Sequence, residues 1–159
     1  MDGARLLIPF GRAPGRRPRV YVYDLSSKAI KAITQEGITG PAALSPDGRF
    51  VAVNDHSNIR IYPVDEGKDR VVPGVPEPGN VAAWSADGKS VLVVEQLEAA
   101  ARVFRRDIVS GTRELVREIR AQEPAGLTAF DIFVSRDGQA YAYTKSLRLA
   151  NVFVIERLR

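Results

Sequence analysis

The stretch Leu44–Val53, LSPDGRFVAV, places a Ser-Pro-Asp-Gly turn between two apolar runs. Glycine takes positive φ without steric cost, and an aspartate before it can accept hydrogen bonds from the turn backbone. The β-branched and aromatic content of the flanking runs predicts a hairpin. An isolated hairpin would say little about the fold. The same frame recurs, however, as WSADGKSVLV at 84–93 and VSRDGQAYAY at 134–143. Asp47-Gly48, Asp87-Gly88 and Asp137-Gly138 therefore mark three copies of one unit, with the aspartates 40 and 50 residues apart.

A second signature follows in register: VYVYD at 20–24, IRIYP at 59–63, VFRRD at 103–107 and VFVIE at 152–156. The first three run through polar turns into LSSKAIKAIT, VDEGKDRVVP and IVSGTRELVR. One unit thus reads strand, Asp-Gly turn, strand, variable loop, strand, polar turn, strand. That period predicts an all-β fold, a β-propeller with blades of four antiparallel strands. DGARLLIPF, with Asp2-Gly3 at its turn, reads as the second half of the same hairpin. The expected division is a first blade over about 1–36 lacking its first strand, full blades over 37–75 and 76–120, and a last blade over 121–159 lacking its final strand. The chain reads as a partial propeller of about 3.5 to 4 blades.

The composition suits a single folded domain: 159 residues, 45% hydrophobic and 26% charged. Much of the net charge of +4 comes from GRAPGRRPR, which holds Arg12, Arg16, Arg17 and Arg19. No aromatic residue interleaves with these arginines, so the segment reads as a solvated loop and only secondarily as an interaction patch; nucleic acid is not expected as a partner. The absence of cysteine excludes disulfides, thiol catalysis and cysteine-bound metals. No apolar run approaches the ~18 residues of a membrane helix, so no membrane insertion is expected of this chain. MDGARLLIPF has neither the basic start nor the long apolar stretch of a signal peptide.

Catalytic candidates are few. The innermost strands of the blades should be PAALS at 41–45, VAAWS at 81–85 and FDIFVS at 130–135, rich in small residues where strands converge on an axis. Asp131 is the one ionisable residue among them and a candidate channel contact. A single acid supplies neither paired-carboxylate chemistry nor a metal cage. His56 in NDHSN is the only histidine, sits in an expected hairpin loop, and has no Gly-x-Ser-x-Gly elbow to serve. No phosphate-cradling loop is present, and no metal or cofactor is expected. Trp84 fills the apolar slot held by Leu44 and Val134 in the sister repeats, which predicts packing between blades. EQLEAAAR, Glu95–Arg102, has helix-forming composition and predicts a short helical excursion in a loop that could carry partner contacts.

With both signatures placed, the sequence resembles the TolB-like, WD-related β-propeller repeats of bacteria. AAWSADGKSVLVV matches their Trp-Ser-Pro-Asp-Gly-Lys turn element, LSPDGRFVAV keeps its proline, and VYVYDLSSKAIKAIT matches the Tyr-Val-Tyr-Asp-like strand. The resemblance implies a non-catalytic module for protein or peptide interaction, a C-terminal fragment of a larger bacterial protein, and an extracytoplasmic setting. Two alternatives stay open: a substrate-gating propeller of a prolyl-oligopeptidase-type hydrolase, and the sensor ectodomain of a bacterial receptor kinase. Four partial blades leave sheet faces unmatched. Either a homodimer completing a ring or further blades in a longer polypeptide are expected to cover them.

Overall fold

The computed structural model describes residues 5–11, 14–38, 40–56, 58–74, 79–97, 100–120 and 127–147, with residues 10, 127–131, 145 and 147 described by backbone alone. Among these residues thirteen strands form four antiparallel sheets in which chain neighbours are sheet neighbours. Blade 1 contains β1 (Arg5–Gly11), β2 (Arg19–Asp24) and β3 (Ile30–Ala32). Blade 2 contains β4 (Ala42–Leu44), β5 (Phe50–Asp55), β6 (Asn58–Pro63) and β7 (Arg70–Val71). Blade 3 contains β8 (Asn80–Trp84), β9 (Ser90–Gln96), β10 (Ala100–Asp107) and β11 (Arg113–Arg120). Blade 4 shows β12 (Leu127–Val134) and β13 (Tyr141–Leu147). The VFVIE segment at 152–156 lies outside the described residues, as do Asp2, Gly3 and Arg12.

Each Asp-Gly turn is built in the same way. Gly48, Gly88 and Gly138 have φ of 72°, 69° and 74°, the left-handed region that a side chain would strain. The serine two residues before each aspartate donates its hydroxyl to the carboxylate, at 2.6 Å for Ser45–Asp47 and Ser85–Asp87 and 2.5 Å for Ser135–Asp137. The same hydroxyl accepts the amide of the first residue of the following strand, as Phe50 N to Ser45 Oγ at 2.9 Å and Ser90 N to Ser85 Oγ at 3.0 Å. The carboxylate accepts the amide two residues on, from Arg49, Lys89 and Gln139. Serine and aspartate together thus satisfy the turn's backbone donors and fix the register of the hairpin.

Period-two alternation sends each strand's side chains to opposite blade faces. In blade 2, Val51, Val53, Tyr62 and Val64 pack against Val20 and Val22 of blade 1. Its other face, Ala52, Ile59, Ile61 and Val72, joins Val81, Trp84, Val91 and Val93 of blade 3. A third core sets Val94, Ala101, Val103 and Ile119 against Ile132 and Val134 of blade 4. Covered on both faces, Val51, Ala52 and Val53 are wholly inaccessible to solvent. Each such valine contributes roughly 1.5–3 kcal/mol of transfer free energy.

Polar contacts pin the blades together within this apolar packing. The Trp84 indole N–H donates to Ala43 O across the blade 2–blade 3 junction at 2.9 Å. The buried Asn54 amide donates to Gly79 O at 2.9 Å and accepts from Val81 N at 2.6 Å. Gly79 admits this approach because a Cβ there would stand 2.7 Å from Val93 Cγ1 and 2.8 Å from Val94 O. At the blade 1–blade 2 junction, Arg5 donates to Gly48 O at 2.8 Å and pairs with Asp65 at 3.2 Å.

Of Glu95–Arg102, where a helical excursion is expected, the described residues are strand apart from Leu97, and residues 98 and 99 lie outside the described residues. β9 runs to Gln96 and β10 starts at Ala100, with Ala101 opposite Gln96 and Leu97 N donating to Ala100 O at 2.9 Å. Alanine-rich composition favours helix only weakly, by tenths of a kcal/mol per residue. Here the next strand pairs immediately, and Ala101 and Val103 become core residues of the blade 3–blade 4 junction.

Candidate functional site

Among the described residues the inner strands β4, β8 and β12 each terminate a sheet, so each has one edge not bonded to another described strand. They converge on a cleft of about 400 Å³ that also takes in Pro9 of β1 and Val94 and Gln96 of β9. Its walls are mostly apolar: Pro41, Ala42, Val81, Ala82 and Ile132, with Phe133 at the rim, 64% exposed. Among the described lining residues the polar side chains are two carboxamides, Asn80 and Gln96, and none is ionisable. Small residues on β4 and β8 are what leave room for the cleft, since Ala42 and Ala82 stand where larger side chains would fill it. Such a surface can bury apolar side chains and exchange hydrogen bonds with amide groups.

The candidate residues fall into separate places. Asp131 lies on β12, paired with Thr144 of β13, and its side chain is outside the described residues. Asp47, Asp87 and Asp137 sit in three different turns, each held by its own serine. The Ser hydroxyl first, and in each case a turn amide as well, holds these carboxyls below the usual aspartate value. Arg16 pairs with Glu36 at 2.9 Å, Arg19 lies 3.8 Å from the same carboxylate and its guanidinium sits 5.6 Å from the Tyr21 ring centroid. Arg17 is exposed beside them. Glu36 gathers this segment against the end of blade 1.

His56 occupies the tip of the β5–β6 hairpin with a φ of 58° and a side chain 92% exposed. Its Nδ1 lies 2.9 Å from Asp55 Oδ1, and Asp55 is itself bound by Arg60 at 3.0 Å. Among the described residues no group of three or more His, Cys, Asp or Glu could hold a metal. Trp84 is 1% exposed in the core between blades 2 and 3.

Two sets of working residues escaped the sequence reading. Asp24 and Asp107 end the third strands of their blades and accept two turn amides each, Ser26 and Ser27 for Asp24 and Val109 and Ser110 for Asp107. The signal was present, since an aspartate closes both VYVYD and VFRRD. Gln96 joins the cleft only because β9 continues as strand through the region whose composition suggested helix.

The architecture is that of a β-propeller, of which the described residues form four whole or partial blades. No protein-family model matches the sequence. Within the propellers the likeness is to TolB. The TolB structure of Acinetobacter baumannii superimposes with a TM-score of 0.58 at 20% identity, over 91% of this chain and 41% of that one. A TolB candidate from Agrobacterium tumefaciens gives 0.57 at 19% identity, over 75% and 47% of the respective chains. A chain of the nidogen/laminin complex gives 0.50 at 13% identity, over 64% and 40%. The protein is thus a TolB-like β-propeller module in fold, and it spans less than half the length of each of these structures. Among the described residues no helix is long and apolar enough to cross a membrane.

Proposed function

We propose that this chain is a non-catalytic propeller module that binds an extended peptide segment of a partner protein in the axial cleft. The observation that carries this reading is the chemistry of the described cleft wall: apolar, edged by strand backbone, with carboxamides as the polar side chains among its described residues. Strand edges offer amide and carbonyl groups to an extended chain, while pockets beside them select alternate side chains. A wall of apolar groups and carboxamides supports binding and specificity. The TolB-like fold supports a module of this kind.

Selection of a displayed random-peptide library on the purified chain tests the proposal. Enriched peptides should carry apolar anchors and lack a requirement for charge. Ala82→Glu and Ile132→Glu, which place a carboxylate in the wall, should each weaken binding of those peptides on the order of 100-fold. Selected peptides that bind both variants as well as the parent chain would overturn the cleft as the site. Turnover of a peptide substrate by the chain would overturn the non-catalytic reading.

A further inference from the structure

The blade junctions repeat position by position, and this identifies what the outer face of blade 1 is made to meet. The face of blade 2 that receives blade 1 is formed by Val51, Val53, Tyr62 and Val64, which are between 0% and 6% exposed. In blade 3 the same positions hold Val91, Val93, Arg106 and Ile108, and they receive blade 2; Arg106 donates to Pro73 O of that blade at 2.8 Å. Strand register carries the set to blade 1: Leu6 is opposite Tyr23 as Val51 is opposite Tyr62, and Asp24 is opposite Arg5 as Pro63 is opposite Phe50. The counterparts in blade 1 are therefore Leu6, Ile8, Tyr23 and Leu25. Leu6 is 51%, Ile8 37% and Leu25 44% exposed, and Ile30, opposite Tyr23, adds a side chain 63% exposed. Their blade 2 counterparts Val51, Val53 and Val64 are between 0% and 2% exposed.

The same chain displays the complementary half. At each internal junction the donating face carries the residues of opposite parity: Ala43, Ala52, Ile59 and Ile61 in blade 2, and Leu7, Val20 and Val22 in blade 1. In blade 4, Ile132 and Val134 turn toward blade 3. Phe133, 64% exposed, and Ala142, paired with it, then face outward at the positions of Ala43 and Ala52. One chain thus exposes a receiving face at one end and a donating face at the other.

We propose that the outer face of blade 1 is a docking surface for a second copy of this chain, which seats the outer face of its blade 4 there. The contact is head to tail, and two copies related by a twofold axis along the propeller axis make it twice and close a ring. The occupant is a blade because the same positions are covered by blades at the blade 1–blade 2 and blade 2–blade 3 junctions. It is a second copy because the matching donor face is carried by this chain.

Sedimentation velocity over a wide concentration range reads the result. The wild-type chain should reach twice its monomer mass and go no further. Leu6→Asp and Phe133→Asp should each raise the dissociation constant on the order of 100-fold or more, because each buries a lone carboxylate at both junctions. Mixed together, the two variants should recover a heterodimer, since one of its two junctions then combines two unaltered faces. Circular dichroism melts confirm that both variants fold; Leu6 and Phe133 are exposed in the single chain, and their substitution should leave its melting transition in place. A wild-type chain that stays monomeric at every concentration would overturn the proposal and leave the face to a blade of a longer polypeptide. A dimer broken by Leu6→Asp but not by Phe133→Asp would overturn it in favour of a face-to-face contact, and growth beyond the dimer would overturn ring closure.

Discussion

Val51 and Leu6 hold the same place in adjacent blades, on the second strand just after the Asp-Gly turn. The first is wholly buried and the second is half exposed. Nothing in the local sequence separates them; both stand in alternating apolar strands that pair with a Tyr-containing strand at the same register. The difference comes from the neighbour. In a propeller the hydrophobic core lies between blades, so a blade's sequence prepares two faces and its burial depends on what stacks against them. The inner blades 2 and 3 are stabilised on both sides, whereas blades 1 and 4 rest on one.

That contrast is open to direct attack, and Trp84 gives the largest effect. Trp84→Ala removes the biggest buried side chain of the blade 2–blade 3 junction and leaves Ala43 O without its indole donor. The expected loss is about 3–5 kcal/mol in urea unfolding. Phe133→Ala deletes an aromatic ring of similar kind from the open face of blade 4, and should cost less than about 1 kcal/mol when the chain is dilute. Equal losses at the two sites would mean that the outer face is covered within the single chain. Next in size is Asn54→Ala. It leaves Gly79 O and Val81 N buried without the side chain that joins them, a loss of about 2–4 kcal/mol by the same measurement. The counterpart position in blade 1 is Pro9, which has no amide to offer and lines the cleft instead.

These residues also show what could be read before the fold was known. The hairpins were legible because a Ser-x-Asp-Gly turn is a local device, complete within six residues. Repetition then fixed the blade, and alternation fixed which side chains face which neighbour. Asn54 was opaque, since its partners lie 25 and 27 residues away and are brought near only when blade 3 stacks on blade 2. So was the offset in β8, where pairing shifts between Val81 and Ala83 and turns Ala82 toward blade 4. The cleft is likewise a property of three converging strands; its alanines were visible in the sequence, but Gln96 was hidden by a helix-like composition that strand pairing overrides. Asp131 was singled out for its charge, and its side chain lies outside the described residues.

The turns provide a smaller effect with a sign in pH. Ser85→Ala removes a hydroxyl that bonds the Asp87 carboxylate and the Ser90 backbone, and should cost about 1 kcal/mol at neutral pH. With Asp47 and Asp87 held below their ordinary value, the folded state favours the ionised form. That contribution is complete above the unfolded value near 4 and fades as pH falls through the lower folded values. Ser85→Ala should therefore flatten the acid limb of the stability curve as well as lower its plateau. The alkaline limb belongs to Tyr62, whose phenol is pushed up to about 12, mainly by burial between blades 1 and 2 and then by the Asp55 charge. A raised value keeps its full contribution below the unfolded pKa of 10 and loses it as pH rises toward 12. Tyr62→Phe should flatten that limb; an unchanged slope would place the alkaline transition elsewhere.

The smallest expected effect is the sharpest comparison. Leu25 and Val64 are counterparts just after the third strand, 44% and 2% exposed. Val64→Ala opens a gap in the blade 1–blade 2 core and should cost about 1–2 kcal/mol at any concentration. Leu25→Ala removes a larger side chain, yet in a dilute chain it should change stability by less than about 0.5 kcal/mol, because the leucine has little to lose from a face already in water. Raising the protein concentration should then separate the two substitutions. The cost of Val64→Ala stays fixed, while Leu25→Ala becomes destabilising as a second blade comes to cover it. A Leu25→Ala penalty that is large when dilute would show that blade 1 carries its own cover, and that the two ends of the molecule do not differ as their exposure indicates.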